Sequence, residues 1–204
     1  MCIRDSRWGR RLEKEGANVR FSYPGIKVHS KVLFIEKEEN DELKRYAYIG
    51  TGNFNEKTSK IYTDFGLMTS NKKLTAELLQ VFQVLERKLI IPKTKHLLVS
   101  PFTARNVFQE LIENEIANAQ EGKEAYITLK LNSLQDRKMI KLLYKASNAG
   151  VKIRLLVRGI CCLVAGVENQ SEHISITSIV DRFLEHGRVS VSYTHLTLPT
   201  ILLV

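Results

Sequence analysis

Two groups of residues in this chain have the types and spacing to move a phosphoryl group. Val28-His29-Ser30-Lys31 opens an apolar run, Val32-Leu33-Phe34-Ile35, and about one hairpin later comes Gly50-Thr51-Gly52-Asn53-Phe54-Asn55. Residues two apart on a strand share a face, so His29 and Lys31 are expected to point the same way. A histidine can act as a nucleophile that carries a covalent phosphate. A cation beside it offsets charge on the phosphoryl oxygens. The glycine- and amide-rich loop could hold an anion through its backbone N–H groups and the side chains of Asn53 and Asn55. Each group also has a plainer reading. His29 would then be a half-buried, hydrogen-bonded strand histidine, and the loop a turn in which Gly and Asn serve steric needs.

Other candidates lie downstream. Tyr62, in Ile61-Tyr62-Thr63-Asp64, could stack on a base or simply fill a core. Asp64 could orient a histidine or cap a turn. Arg158 follows an apolar strand, where it could clamp phosphate through its two-pronged guanidinium or lie on the surface. His186, with Arg182 and Arg188 nearby, could be a second catalytic histidine acting as general acid or base. Its plainer role is to close a helix, where histidine interacts well with the dipole. His96 and His173 have no supporting context, and no His/Cys spacing suggests a metal site.

These residues need elements to hold them. Residues 7–16 read as the end of a basic helix closed by Gly16, and Asn18–Tyr23 alternates like a short strand before the Pro24-Gly25 turn. Lys27–Glu36 and Arg45–Ile49 read as strands around a charged hairpin tip, Lys37–Lys44. Leu67-Met68-Thr69 suggests a further strand. Asn71 is placed to cap a helix running to about Leu89, with Leu74, Leu78, Val81, Phe82, Leu85 and Leu89 at helical spacing. A domain boundary is expected near 90–95. Beyond it the pattern is strand–helix–strand–helix–strand: Leu97-Leu98-Val99, a helix over about 103–120, Tyr126–Leu131, a helix ending at Gly150, and Lys152–Val157. Arg158-Gly159 then falls just past a strand's C-terminal end, the edge where open α/β sheets bind ligands. Ser178–Glu185 reads as a short amphipathic helix.

The 204 residues suffice for one large domain or two small ones, and 44% hydrophobic content supports an ordinary globular core. The formal charge of +9 suits an anionic partner, although a solvated basic face would also account for it. Aromatics are sparse, so a stacking platform for single-stranded nucleic acid is not favoured, and no nucleic-acid partner is expected. Cys161 and Cys162 are adjacent and Cys2 stands apart, which gives no disulfide framework and makes a reducing cytoplasm the default. No apolar stretch reaches the length of a membrane span. Both ends resemble translated sequencing adapter, Met1–Ser6 at the head and residues 190–204 at the tail. The chain is therefore expected to be an internal fragment of a longer protein, with a first domain over 7–92 and a second over 93–189, each partial.

Several blocks together carry a resemblance: Lys27–Lys31, Arg45–Asn55, Ile61–Asp64, Ile127–Asn132, Leu156–Gly159 and Ser178–His186. In this order the chain resembles the C-terminal catalytic region of bacterial polyphosphate kinases, over about residues 7–189. The resemblance implies an α/β fold of two phospholipase D-like domains, with mixed sheets flanked by helices. It implies autophosphorylation at the His29 position and nucleotide contacts at the Tyr62, Arg158 and His186 positions. It also implies reversible transfer of the terminal phosphate of ATP to polyphosphate with Mg²⁺, in an oligomer often associated with the inner membrane. Lys31 and Arg158 would then stabilise charge spread over the phosphoryl oxygens. One departure stands out. The phospholipase D pattern has an Asp five residues after the lysine, where this chain has Glu36. Two other readings stay open: a phospholipase D-like phosphodiesterase or nuclease using His29 and His186, and a non-catalytic module that binds polyphosphate or nucleotide. Mg²⁺-associated arginines are expected upstream of residue 7, so the isolated chain is expected to be inactive.

Overall fold

A hairpin organises the first half. The computed structural model describes residues 3–21, 28–192, 195–197 and 201–202, with side chains described over 7–21 and 28–192. Strand β1 (Lys31–Glu39) pairs antiparallel with β2 (Glu42–Gly50), and β2 pairs antiparallel with β3 (Gly66–Thr69). Asn40 and Asp41 form the turn, both with positive φ (53° and 60°). That is the backbone of a type I′ turn, whose twist matches the flanking strands and which Asn and Asp tolerate. The strands therefore run deeper into the charged tip than Lys37–Lys44 suggested, because the turn needs two residues alone.

Before the hairpin lies α1 (Ile3–Lys14), followed by Gly16 at φ +86°, a conformation that favours glycine. The strand expected over Asn18–Tyr23 is absent from 18–21, and Ser22 and Tyr23 lie outside the described residues, as do Pro24, Gly25 and Lys27. A one-turn helix, α2 (Glu56–Ser59), follows β2. Helix α3 (Lys72–Leu85) is capped by Asn71, whose side chain accepts from Lys73 N and Leu74 N. It ends four residues before Leu89. Its Leu78 and Val81 pack with Ala47 and Ile49 of β2, and Phe34 of β1 lies 5.9 Å from Phe82. Leu97 and Val99 complete this core.

A buried acid fastens the segment between the halves. The Glu77 carboxylate accepts from the backbone N–H groups of Lys95 (3.0 Å), His96 (2.9 Å) and Leu97 (2.8 Å), and its Oε1 lies 2.9 Å from His96 Nδ1. Burial opposes the charge most strongly, but these contacts together outweigh it and hold Glu77 below its ordinary value.

The second half is a mixed sheet. After β4 (Val99–Ser100) and α4 (Ala104–Gln120), the strands β5 (Tyr126–Leu131), β6 (Lys152–Val157) and β7 (Ile174–Thr177) run parallel. β8 (Val189–Ser192) pairs antiparallel with β5, and β9 (His195–Thr197) with β8, giving the order β7-β6-β5-β8-β9. Helix α5 (Arg137–Asn148) crosses between β5 and β6, capped by Asp136. It packs with α4 over Ile127, Ile153, Leu155 and Val157. The last short strand, β10 (Ile201–Leu202), lies parallel to β4. Mixed sheets flanked by helices make the chain α/β, as expected.

Residues 178–185 are not a helix. Leu184 instead pairs with Tyr62, and Val180 and Phe183 are exposed. The apolar spacing that suggested a helix is overridden by pairing with the first half. Among the described residues, no helix is long and apolar enough to cross a membrane.

Candidate active site

His29 and Ser30 precede β1, so strand periodicity does not orient them. The contact between His29 and Lys31 is direct nevertheless. Lys31 Nζ donates to the His29 carbonyl at 2.6 Å and lies 3.1 and 3.2 Å from its two ring nitrogens. Sheet register then places the pair. Lys31 is opposite Gly50, and Gly50 is opposite Gly66. Two residues beyond those ends lie His29, Gly52 and Asp64. Thr51 N donates to Phe65 O at 3.0 Å, so the pairing continues in that direction. His29 and Asp64 thus lie just past the same end of the sheet, beside its first and third strands.

Asp64 is the hub of that end. Its Oδ1 accepts from the Thr51 hydroxyl at 2.7 Å and lies 2.6 Å from His186 Nδ1, across 122 residues of chain. Thr51 is locked in turn, because its hydroxyl oxygen accepts from Phe65 N at 3.0 Å. Gly52 leaves room for the carboxylate: a Cβ there would sit 2.7 Å from Asp64 Oδ2. An ionised carboxylate only accepts hydrogen bonds, so the proton of this contact belongs to His186 Nδ1. That leaves Nε2 to exchange protons. The His186 side chain is 7% exposed, and Tyr62 lies against it with ring centroids 5.0 Å apart.

The two halves are stitched together here. Thr63 N donates to Leu184 O (2.9 Å), Leu184 N to Ile61 O (2.8 Å) and Gly187 N to Thr63 O (2.8 Å). Beside this seam Lys130 pairs with Glu185, and Lys130 Nζ lies 5.8 Å from the Phe65 ring. The hydrogen bond from Lys130 is the main cause that holds the Glu185 carboxyl below its ordinary value.

Arg158 stands just past β6, as expected, with its Nε buried and without a hydrogen-bond partner among the described residues. Arg188 Nη1 donates to the His186 carbonyl at 3.3 Å. Burial, then the Arg158 charge, push the Arg188 guanidinium down from its ordinary value, and Asp64 pulls it back up. The loop asparagines share none of the hydrogen bonds described for this group. Asn53 and Asn55 are exposed, and the Asn55 side-chain oxygen caps α2 by accepting from Lys57 N and Thr58 N.

The structure therefore brings Tyr62, Asp64 and His186 into contact, with Arg188 and Arg158 close by and His29–Lys31 at the same end of the first sheet. Thr51, Lys130, Glu185 and Arg188 were missed as site residues. For Arg188 a signal existed: His186-Gly187-Arg188 repeats the histidine-x-cation spacing of His29-Ser30-Lys31.

Known proteins resemble this chain in sequence and fold. The family model described as polyphosphate kinase C-terminal domain 1 matches residues 4–90, and that described as C-terminal domain 2 matches residues 97–197. The chain belongs to the polyphosphate kinase family. The polyphosphate kinase of Vibrio cholerae is 53% identical over 184 residues, which is 90% of this chain and 26% of that protein. Those of Vibrio parahaemolyticus and Escherichia coli K12 are 50% identical over 186 residues and 47% over 184, covering 91% and 90% of this chain and 27% of each relative. The crystal structure of polyphosphate kinase from Porphyromonas gingivalis superposes with a TM-score of 0.82 at 38% identity, over 92% of this chain and 31% of that one. The chain thus spans about a quarter of the length of the curated polyphosphate kinases it matches.

Proposed function

We propose that this chain is the catalytic portion of an ATP:polyphosphate phosphotransferase that works through a phosphohistidine at His29. The observation that carries the reading is that His29–Lys31 and the Asp64–His186 pair lie at the same end of the first sheet. His29 attacks the terminal phosphorus of ATP in line, and the bond to ADP breaks. Lys31 and Arg158 offset charge on the equatorial oxygens. The end of a polyphosphate chain then takes the phosphoryl group from His29, and the reverse sequence makes ATP. His186, held by Asp64, is the proton-exchanging group, and Tyr62 beside it offers a ring for the nucleotide base. Asn53 and Asn55 serve the loop that places Thr51 and Gly52 against Asp64, with their amides available to outer phosphates.

Mg²⁺ belongs to this reading as the counter-ion that ATP brings. Among the described residues, no group of three or more His, Cys, Asp and Glu could hold a metal, so no step is assigned to a protein-held ion. A cytoplasmic homo-oligomer, peripherally associated with the inner membrane, is the setting we infer for the full-length protein. The isolated chain is inactive in this reading.

The test uses full-length protein with γ-labelled ATP and Mg²⁺. Acid-labile, base-stable label is expected, and His29→Ala should abolish it. No label, with cleavage of a phosphodiester instead, would favour a phospholipase D-like hydrolase. Binding of polyphosphate with neither reaction would leave a binding module.

A further inference from the structure

Arg188 has no part in the scheme above, yet it is partly buried beside another cation. Sheet register explains how the two meet. Leu131 ends β5 opposite Val157 of β6, so Arg158 is the next residue past that strand. Lys130 is opposite Val189 of β8, so Arg188 is the residue just before that one. The two arginines flank the end of the central strand, one spacing to each side. This is where the strand order switches, the place where open α/β sheets take ligands.

The local charge is not balanced from within. Lys130 is matched by Glu185. Asp64 is the acid that Arg188 feels, and its Oδ1 is already shared by Thr51 and His186. Arg158 meanwhile keeps a buried Nε without a partner among the described residues. Asn132, which follows β5 beside Arg158, has a buried Oδ1 in the same condition. Turning its amide over, an assignment that heavy-atom positions leave open, makes this a second buried donor. Two guanidiniums and an amide around one strand end match a multiply charged, three-oxygen anion, which each arginine can grip with two parallel N–H bonds.

We propose that Arg188 joins Arg158 in a two-arginine cradle for the terminal phosphoryl group of a polyphosphate chain, next to His186. The inference rests on the reading that this site handles phosphoryl groups, and it assigns Arg188 a binding role of its own.

Sodium tripolyphosphate is the probe, titrated into the 204-residue chain by calorimetry at 0.15 M salt. Arg188→Gln should weaken binding at least tenfold, and Arg158→Gln should do the same. Arg188→Lys keeps the charge but loses the fork, so its loss should fall between wild type and Arg188→Gln. It also guards against misfolding of the glutamine variant, with circular dichroism as the check. Lys72→Gln, an exposed position at the start of α3, should change affinity less than twofold. Wild-type chain that does not bind tripolyphosphate, or Arg188→Gln within twofold of wild type, would overturn the cradle. The His29 label on full-length protein is a separate readout. Label with unchanged binding by Arg188→Gln rejects the cradle and leaves the phosphotransferase. Absent label with binding lost in Arg188→Gln keeps the anion site and rejects the phosphotransferase.

Discussion

One carboxylate oxygen, Asp64 Oδ1, meets both the Thr51 hydroxyl and His186 Nδ1. Beside an ionised Asp64 the proton of this contact sits on His186 Nδ1, which in the proposed scheme leaves Nε2 for the chemistry. Asp64→Asn separates charge from position. The amide oxygen can still accept from Nδ1–H, so the ring stays in place, but an imidazolium formed during turnover loses its counter-charge. In full-length protein, kcat is expected to fall about 100-fold, the lower end of what a positioned acid–base group contributes. Steady-state turnover checks this, and a loss of under twofold would remove Asp64 from the machinery. Asp64 could be singled out from Ile61-Tyr62-Thr63-Asp64, but its partner could not. The two residues stand 122 positions apart, and no local period reports a contact of that range.

At the scale of elements, local signals and long-range ones part company. Tyr126–Leu131 and Lys152–Val157 are strands at the bounds expected for them, because each is an apolar run bounded by turn residues. Asn71 and Asp136 cap helices through side-chain oxygens, a purely local chemistry. Over residues 178–185, Ile179, Val180, Phe183 and Leu184 have helical spacing, while the backbone of Leu184 pairs with the first half. His96 looked idle for the same reason: Glu77, which grips it, is 19 residues away on α3. That clasp carries a prediction about pH. Glu77 titrates lower when folded than when unfolded, so its contribution to stability is complete above the unfolded carboxylate value, near 4.5. It fades as pH falls through the folded value. At pH 7, Glu77→Gln should cost about 2–4 kcal/mol, since three backbone N–H groups lose a charged acceptor. Urea unfolding of the two chains at pH 7 and pH 4 checks this. The gap between their midpoints should shrink at pH 4, and a gap of equal size at both pH values would refute the role given to Glu77.

For the whole molecule, the site exists because two cores are held in one alignment. Leu78 and Val81 anchor the first core, and Leu143 and Ile153 the second. Where Tyr62, Asp64 and His186 meet, the cores are joined by backbone pairing of 61–63 with 184–187 and the Asp64–His186 contact. Hydrogen bonds of this kind contribute about 1 kcal/mol each, less than either buried core contributes. The seam should therefore be separable from the folding of the halves. Thr63→Pro removes the N–H that donates to Leu184 O and the hydroxyl that also reaches that carbonyl at 3.2 Å. It touches neither core. Helix and sheet content by circular dichroism should stay near wild type, while calorimetry should resolve two unfolding transitions. Full-length protein carrying the change should lose turnover at least tenfold, because His186 no longer meets Asp64 in register. Thr63→Ser keeps both donors and should behave as wild type. A single cooperative transition with full turnover in Thr63→Pro would mean that the halves are locked together elsewhere, and that the seam only follows their packing.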